Sequence, residues 1–487
     1  MNLSLRAVCR IIGLVLFVVG FSMMPSLIVA GIYKEVPALL TFLSTILFAA
    51  VAGLFLVYVG HKSTAKLKVR DGFLIVTLCW IVSAALGAVP FVISQSIPNF
   101  FDAFFESCSG FSTTGASILT DIESLPKSML FWRSFTHWIG GMGILIFAIA
   151  LMPSLGISGQ NIAVSEAPGP TLDKITPKMS DTAKALYAIY IIFTIVEVIL
   201  LCLGGLNLYD SLIHSFGTMG TGGFSNYNNS VAHFNSAYVD IVITVFMVLA
   251  GANFNLYYMS LRRGVGRLLG DAEFRFYLLI VAAVTILIAF NLYSSHYYES
   301  AAESARYSIF QTASILTTTG FATTNFDLWP TFSRMLLLLL MFIGGCSSST
   351  GGGIKVIRIL ILLKLIRRGL ATRLHPNAVV TVRLNDRTVP ADTVTAISNH
   401  AFLYMAVVFI STILISLNNF DMVTSFTSVI TCLGNVGPGF ELVGPSANFS
   451  IYAAPAKLLL SFLMLAGRLE LFTLFILLTP RFWNPDH

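Results

Sequence analysis

Charge is what this sequence has least of. Asp, Glu, Lys and Arg make up 11% of its 487 residues, where soluble domains carry about a quarter. With 56% hydrophobic residues and a mean hydropathy of +0.82, the chain reads as a polytopic membrane protein. Cysteines in paired spacing are missing as well. Cys9, Cys79, Cys108, Cys202, Cys346 and Cys432 are scattered through apolar stretches, which excludes a disulfide framework and leaves them as small buried hydrophobes. The eight histidines show no HExxH or related spacing, and neither a nucleophile elbow nor a phosphate loop occurs. A membrane-embedded lipid or sugar transferase needs clustered acids, histidines or metal ligands, so an enzyme is disfavoured.

Apolar runs are plentiful. A spanning helix takes about 20 mostly apolar residues, and ten such windows stand near 11–31, 38–60, 72–94, 129–152, 183–205, 238–260, 276–293, 333–365, 398–417 and 452–479. The first follows Arg6 and Arg10 but is long and soon joined by a second, which favours a retained anchor over a signal peptide. The net charge of +6 is explained by topology rather than by nucleic acid. With the N-terminus inside, the cytoplasmic loops hold 61–70, Lys174, Lys178, 262–267 and Lys364 to Arg387. External loops keep only Lys34, Lys127, Arg133, Arg306, Arg334 and Lys457, a positive-inside pattern.

A repeat is hidden in the spacing. The stretches "SGFSTTGAS" (109–117), "FGTMGTGGF" (216–224), "SILTTTGFA" (314–322) and "TCLGNVGPG" (431–439) align on Gly115, Gly222, Gly320 and Gly437, a period of about a hundred residues. An acid stands upstream of each: Asp102, Asp210, Glu303 and Asp421. Each unit therefore reads as span, short segment, glycine loop, span. A dozen helical residues rise about 18 Å, too little for a hydrocarbon core of about 30 Å, so the short segment dips in and returns. Acids suit its N-terminus, and its C-terminal dipole end then attracts a cation at membrane depth. Four glycine loops around one axis would present a ring of carbonyl oxygens, the requirement for dehydrating an alkali cation. Glycine allows the necessary backbone angles, and threonine hydroxyls add oxygens or bond the backbone. Inverted-repeat transporters are the nearer rival, but these copies are separated by even numbers of spans and run parallel.

These residues resemble the Trk/Ktr/HKT superfamily of potassium transporters, most closely the bacterial TrkH type, over nearly the whole chain. The resemblance implies an all-α polytopic membrane fold with four span–pore-helix–span repeats around a central pore, plus two extra N-terminal spans. The corresponding stretches are 1–66 for the extra spans and 67–165, 166–270, 271–390 and 391–487 for the repeats. It implies potassium uptake across the bacterial inner membrane, with both termini cytoplasmic, the chain embedded in lipid, and no enzymatic activity. A homodimer seated on a cytoplasmic nucleotide-binding regulator ring of the TrkA type is implied too, with docking on 153–182, 261–275 and 366–396. The potassium ion would meet Thr113, Thr114 and Gly115; Gly220, Thr221 and Gly222; Thr318, Thr319 and Gly320; and Asn435, Val436 and Gly437. Sodium-preferring plant relatives carry serine at the first filter glycine, so Gly115 favours potassium. The fourth loop departs from the others, with no threonine before its glycine and with Pro438 after it. The residues leave open whether transport is channel-like, coupled to protons or sodium, or less selective between sodium and potassium.

The 333–365 span is broken by "GGCSSSTGGGIK" (344–355), with five glycines and four hydroxyl residues. Such a stretch is a poor helix interior. By itself it reads as a kink, a close helix crossing, or a movable loop under the ring. The family has an intramembrane loop here, which implies a gate built from Gly344, Gly345, Ser347, Ser348, Ser349, Gly351, Gly352 and Gly353. Arg468 sits in the apolar "LMLAGRLELFTLF", as far beyond Gly437 as Gly351 lies beyond Gly320. A charge at that depth faces water or a bundle interior, so Arg468 is expected to raise a barrier to cations. The alternative is a salt bridge to another helix, with Glu197 as the candidate. Glu470, two residues away, does not share its helix face. Asn253 and Asn255 in "GANFNLYY" lie at comparable depth, either facing the ion path or bonding neighbouring helices.

Overall fold

The computed structural model describes residues 5–60, 69–143, 179–264, 266–378, 380–385 and 387–484. The basic stretches read at 61–70 and 153–182 fall largely outside these residues, as do Lys174, Lys178 and the end of the 129–152 window. Among the described residues six helices are long and apolar enough to span a membrane, and two bent pairs could raise the number to eight. The fold is that of an all-α polytopic membrane protein.

Two N-terminal segments come first. Helices α1 (Leu5–Ser22) and α2 (Met24–Ile32) form one span, and α3 (Val36–Gly60) returns beside it. Gly13 and Gly53 let α1 and α3 touch backbone to backbone, since a Cβ on either would come within 2.9 Å of the other's carbonyl oxygen. Leu54, Phe55 and Tyr58 stay exposed on α3, the surface that hydrocarbon covers.

Four similar units follow. The first has α4 (Val69–Ile93), the short α5 (Phe100–Phe111) and α6 (Lys127–Gly141). The second has α7 (Met179–Leu203), the short α8 (Leu208–Met219), then α9 (Ala237–Ala250) and α10 (Phe254–Arg263), bent by 87° at their junction. The third has α11 (Ala272–Ser294), the short α12 (Ala301–Leu316), α13 (Thr331–Ile343) and α14 (Val356–Leu374). A two-residue hairpin, β1 (Arg383–Leu384) with β2 (Arg387–Thr388), precedes the fourth unit. That unit has α15 (Ala391–Ile415), the short α16 (Met422–Gly434) and α17 (Ala454–Arg468), after which the chain turns by 115°.

The short helices start as their sequences dictate. Asn99, Asn207, Ser300 and Asp421 cap them, each side chain accepting a hydrogen bond from a backbone N–H in the first turn. Three of the upstream acids, Asp102, Asp210 and Glu303, therefore sit inside the first turn, and only Asp421 is itself a cap. Lengths of 12, 12, 16 and 13 residues leave all four helices too short to span.

Basic residues assigned to external loops are placed differently. Arg133 and Lys457 lie within α6 and α17, buried and paired with Glu106 and Asp102 at 2.6 Å. Arg306 pairs with Asp240 and Arg334 with Asp327 and Glu441. Partner acids from neighbouring helices make these positions tolerable where sequence spacing suggested only loops.

Candidate functional site

All four short helices end in one backbone pattern. Thr113, Thr221, Thr318 and Asn435 take left-handed angles, with φ between 53° and 61°. The next residue of each loop (Thr114, Gly222, Thr319, Val436) donates its N–H to a carbonyl five residues back, at 2.8 to 2.9 Å. A glycine with positive φ then follows: Gly115, Gly223, Gly320 and Gly437, with φ of 81°, 76°, 81° and 97°.

This pattern corrects the alignment of the second loop by one residue. Gly222 is the counterpart of Thr114, and Gly223 is the counterpart of Gly115. Gly220 ends α8 with ordinary helical angles and corresponds to Ser112 and Thr317. The pair Gly-Phe in "TGGF" and "TTGF" carried the register. The adjacent glycines of "TGG" obscured it, because only the backbone angle distinguishes them.

The loops meet in a cycle. A Cβ on Gly115 would overlap the carbonyl oxygen of Gly222, one on Gly223 that of Thr319, and one on Gly320 that of Val436. On Gly437 it would stand 2.7 Å from the carbonyl oxygen of Thr114, which closes the circuit from the fourth unit to the first. Each middle carbonyl thus abuts the preceding loop's glycine, and no side chain fits between them. A cavity of about 200 Å³ opens beside the ring, and Gly115, Gly223, Gly320 and Gly437 all line it.

In the first three loops the hydroxyls bond backbone or hydroxyl groups of their own loop. Thr113 and Thr221 Oγ1 donate to the preceding carbonyls at 2.7 Å, while Thr114 bonds Ser112 and Thr319 bonds Thr317 at the same length. The fourth loop is pinned differently. Asn435 Nδ2 donates to Thr114 Oγ1 and to the Met464 carbonyl, both at 2.9 Å. Beyond the second loop, burial and a hydrogen bond to Asp210 push the Tyr227 phenol up to about 12, so it remains a donor.

On the opposite side of the ring lies the interruption between α13 and α14. Gly344 and Gly353 turn the chain with φ of 76° and 73°. Gly352 N–H donates to Thr318 Oγ1 at 2.8 Å, so the tip touches the third loop directly. The rest of the segment is tied down by side chains. Glu273, buried in the first turn of α11, accepts from Ser347 N–H and Ser347 Oγ, both at 2.6 Å. Asn253 and Asn255 donate to the hydroxyls of Ser347 and Ser348 at 3.3 and 3.2 Å, so both meet this segment. The break between α9 and α10 frees backbone groups that the segment satisfies: Cys346 N–H reaches the Gly251 carbonyl and Ser348 O accepts from Phe254 N–H. Lys355 Nζ reaches back to the Gly351 carbonyl.

Arg468 meets the same tip. Its guanidinium donates to the Thr350 carbonyl and to those of Gly140 and Gly141, each at 2.6 Å. Glu470 turns instead to Arg358. Equal spacing from Gly320 and Gly437 had put Arg468 and Gly351 at one depth, and Thr350, the neighbour of Gly351, is its partner.

The pattern that defines TrkH, described as a cation transport protein family, matches residues 39–484. This chain belongs to the TrkH family. Its relatives include the Trk system potassium uptake protein TrkH of Escherichia coli, 39% identical over 98% of this chain and 99% of that one. The Escherichia coli Trk system potassium uptake protein TrkG is 35% identical over 99% of this chain and all of that one. The crystal structure of the potassium transporter TrkH from Vibrio parahaemolyticus superposes with a TM-score of 0.89 at 37% identity, covering 99% of this chain and all of that one. These relatives are named as transport proteins, not enzymes, and TrkH-family membership fits the multi-pass membrane fold.

Proposed function

We propose that this TrkH-family chain takes up potassium across the bacterial inner membrane through a single-chain, pseudo-fourfold pore. The observation that carries the reading is the cycle in which each loop's middle carbonyl abuts the preceding loop's glycine. Backbone oxygens packed this way replace the hydration shell of a cation, and their spacing follows from backbone contact rather than from flexible side chains. The ion would bind among Thr113, Thr114, Gly115, Thr221, Gly222, Gly223, Thr318, Thr319, Gly320, Asn435, Val436 and Gly437, with Gly220 one step outside. The names of the relatives support potassium as the ion.

Residues 344–353 and Arg468 act as the gate in this reading. A guanidinium that bridges the loop tip and the end of α6 places positive charge beneath the ring, where a permeating cation must pass. The chain works as a homodimer on a cytoplasmic nucleotide-binding ring of the TrkA type, in lipid, with both termini cytoplasmic. A less selective sodium and potassium permease is favoured by one feature, the fourth loop, where Val436 and Pro438 replace the threonine and aromatic of the third.

Flux from purified protein in liposomes tests the reading, comparing potassium, rubidium, sodium and lithium with and without a proton gradient. Preference for potassium and rubidium is expected. Equal flux of all four cations would refute a selective ring.

A further inference from the structure

Nine residues before each ring glycine stands a polar residue on a short helix: Glu106, His214, Gln311 and Ser428. Three of them reach forward to the strand that leaves the ring. Glu106 Oε1 accepts from Ser117 Oγ and Oε2 from Ile118 N–H, both at 2.9 Å. His214 Nε2 meets Ser225 Oγ at 3.0 Å, and Gln311 Nε2 donates to Thr323 Oγ1 at 3.3 Å. Ser428 bonds Tyr452 instead, and its neighbour Thr427 accepts from Phe440 N–H. One register position thus braces the first three loops from behind, with different chemistry in each unit, and in the fourth the neighbouring Thr427 takes its place.

The first brace is the charged one. Arg133 Nε donates to Glu106 Oε1 at 2.6 Å, with both side chains almost fully buried. Arg133 also crosses to the second unit. Its Nη1 donates to the Ser225 carbonyl at 2.9 Å, and its guanidinium lies 3.4 Å from the centre of the Phe224 ring. Phe224 and Ser225 directly follow Gly223. One ion pair therefore holds the strands leaving both the first and second loops, and Arg133 itself borders the cavity beside the ring.

We propose that Glu106 and Arg133 are positioning residues that fix the spacing of the first and second loops and thereby set discrimination among alkali cations. The proposal rests on the reading of the loops as a selectivity filter. Its physical basis is that a buried pair is neutral as a whole, so it stiffens the loops without placing net charge beside the ion path. A neutral hydrogen bond in its place holds the strands less firmly.

Liposome flux of potassium and sodium separates this role from simple electrostatics. Glu106→Gln and Arg133→Gln leave opposite charges behind, yet both are expected to lower the potassium-to-sodium flux ratio, by about fivefold. The double variant Glu106→Gln/Arg133→Gln should lower it as well. Ser117→Ala, which keeps the ion pair and loses one grip on the strand, should shift the ratio about twofold in the same direction. It serves as the measure if the charged-pair variants fail to fold, which melting and gel-filtration profiles report. Opposite changes in the flux of all cations at constant ratio, or an unchanged ratio in Ser117→Ala and in every pair variant that folds, would overturn the proposal. Gly115→Ser is run beside them. If it too leaves the ratio unchanged, the filter reading itself has failed; if it lowers the ratio while the brace variants do not, only the brace has.

Discussion

The ring and the segment beneath it are built on opposite principles. Every loop of the ring repeats one backbone pattern, and its neighbours are carbonyl oxygens and glycines. Among the described residues the 344–355 segment occurs in one unit only, and side chains hold it: Glu273 of the same unit, and Asn253, Asn255 and Arg468 from other units. Backbone contacts give spacing that few substitutions can retune, which suits discrimination between ions of fixed radius. Side-chain hydrogen bonds of about 1 kcal/mol each can be exchanged one at a time, which suits an element with two positions. In the proposed reading the ring is the fixed part of the pore and the segment beneath it the adjustable one.

Substitutions can break that contrast, beginning with the ring. At Gly115 the backbone has φ of 81° and a Cβ would overlap the Gly222 carbonyl oxygen. Gly115→Ser is expected to cut the potassium-to-sodium flux ratio by more than about tenfold, equivalent to about 1.4 kcal/mol, and to lower the melting temperature, because the group that must move is backbone. A retained ratio in liposome flux would show that side chains, not backbone spacing, do the selecting.

Next comes Arg468→Ala, which removes the charge and three carbonyl contacts, one to the loop tip at Thr350 and two to the end of α6. Basal potassium flux should rise about tenfold with the ion preference unchanged. Unaltered flux would sink the barrier role. Glu273→Gln converts two charge-assisted bonds to Ser347 into neutral ones, and a rise of about threefold in basal flux is expected. A fall in flux with the fold intact would mean that Glu273 holds the segment open rather than closed. Asn255→Ala, which loses one bond of 3.2 Å to Ser348, should change flux by less than about twofold. An effect as large as that of Arg468→Ala would contradict the distributed grip described above.

Much of the site was legible in the chain because its signals are local. Apolar length marked the spans, a period of about a hundred residues marked the units, and "GGCSSSTGGGIK" marked the break. Ten windows are read from hydropathy, whereas six straight spans and two bent pairs meet the length test among the described residues. Three of the four windows that are not straight spans break at Gly251, Gly344 and Arg468, where helices end inside apolar runs, and the fourth, 129–152, runs on beyond the described residues. A window average counts composition and does not register a broken hydrogen-bond ladder.

By itself the sequence determined that this is a membrane protein with four units, each with a short helix ending in a glycine loop. It also singled out Arg468 and the 344–353 segment, because a charge or a glycine cluster in an apolar run is conspicuous without any partner. Only the tertiary structure decided that Gly223, not Gly222, matches Gly115, since two adjacent glycines differ there by backbone angle alone. It also decided the cyclic order of the loops, the bond from Glu273 to Ser347, and the pairing of Arg133 with Glu106 across the back of the ring. These are contacts between residues distant in the chain, and chain order carries no record of which side chains packing brings together.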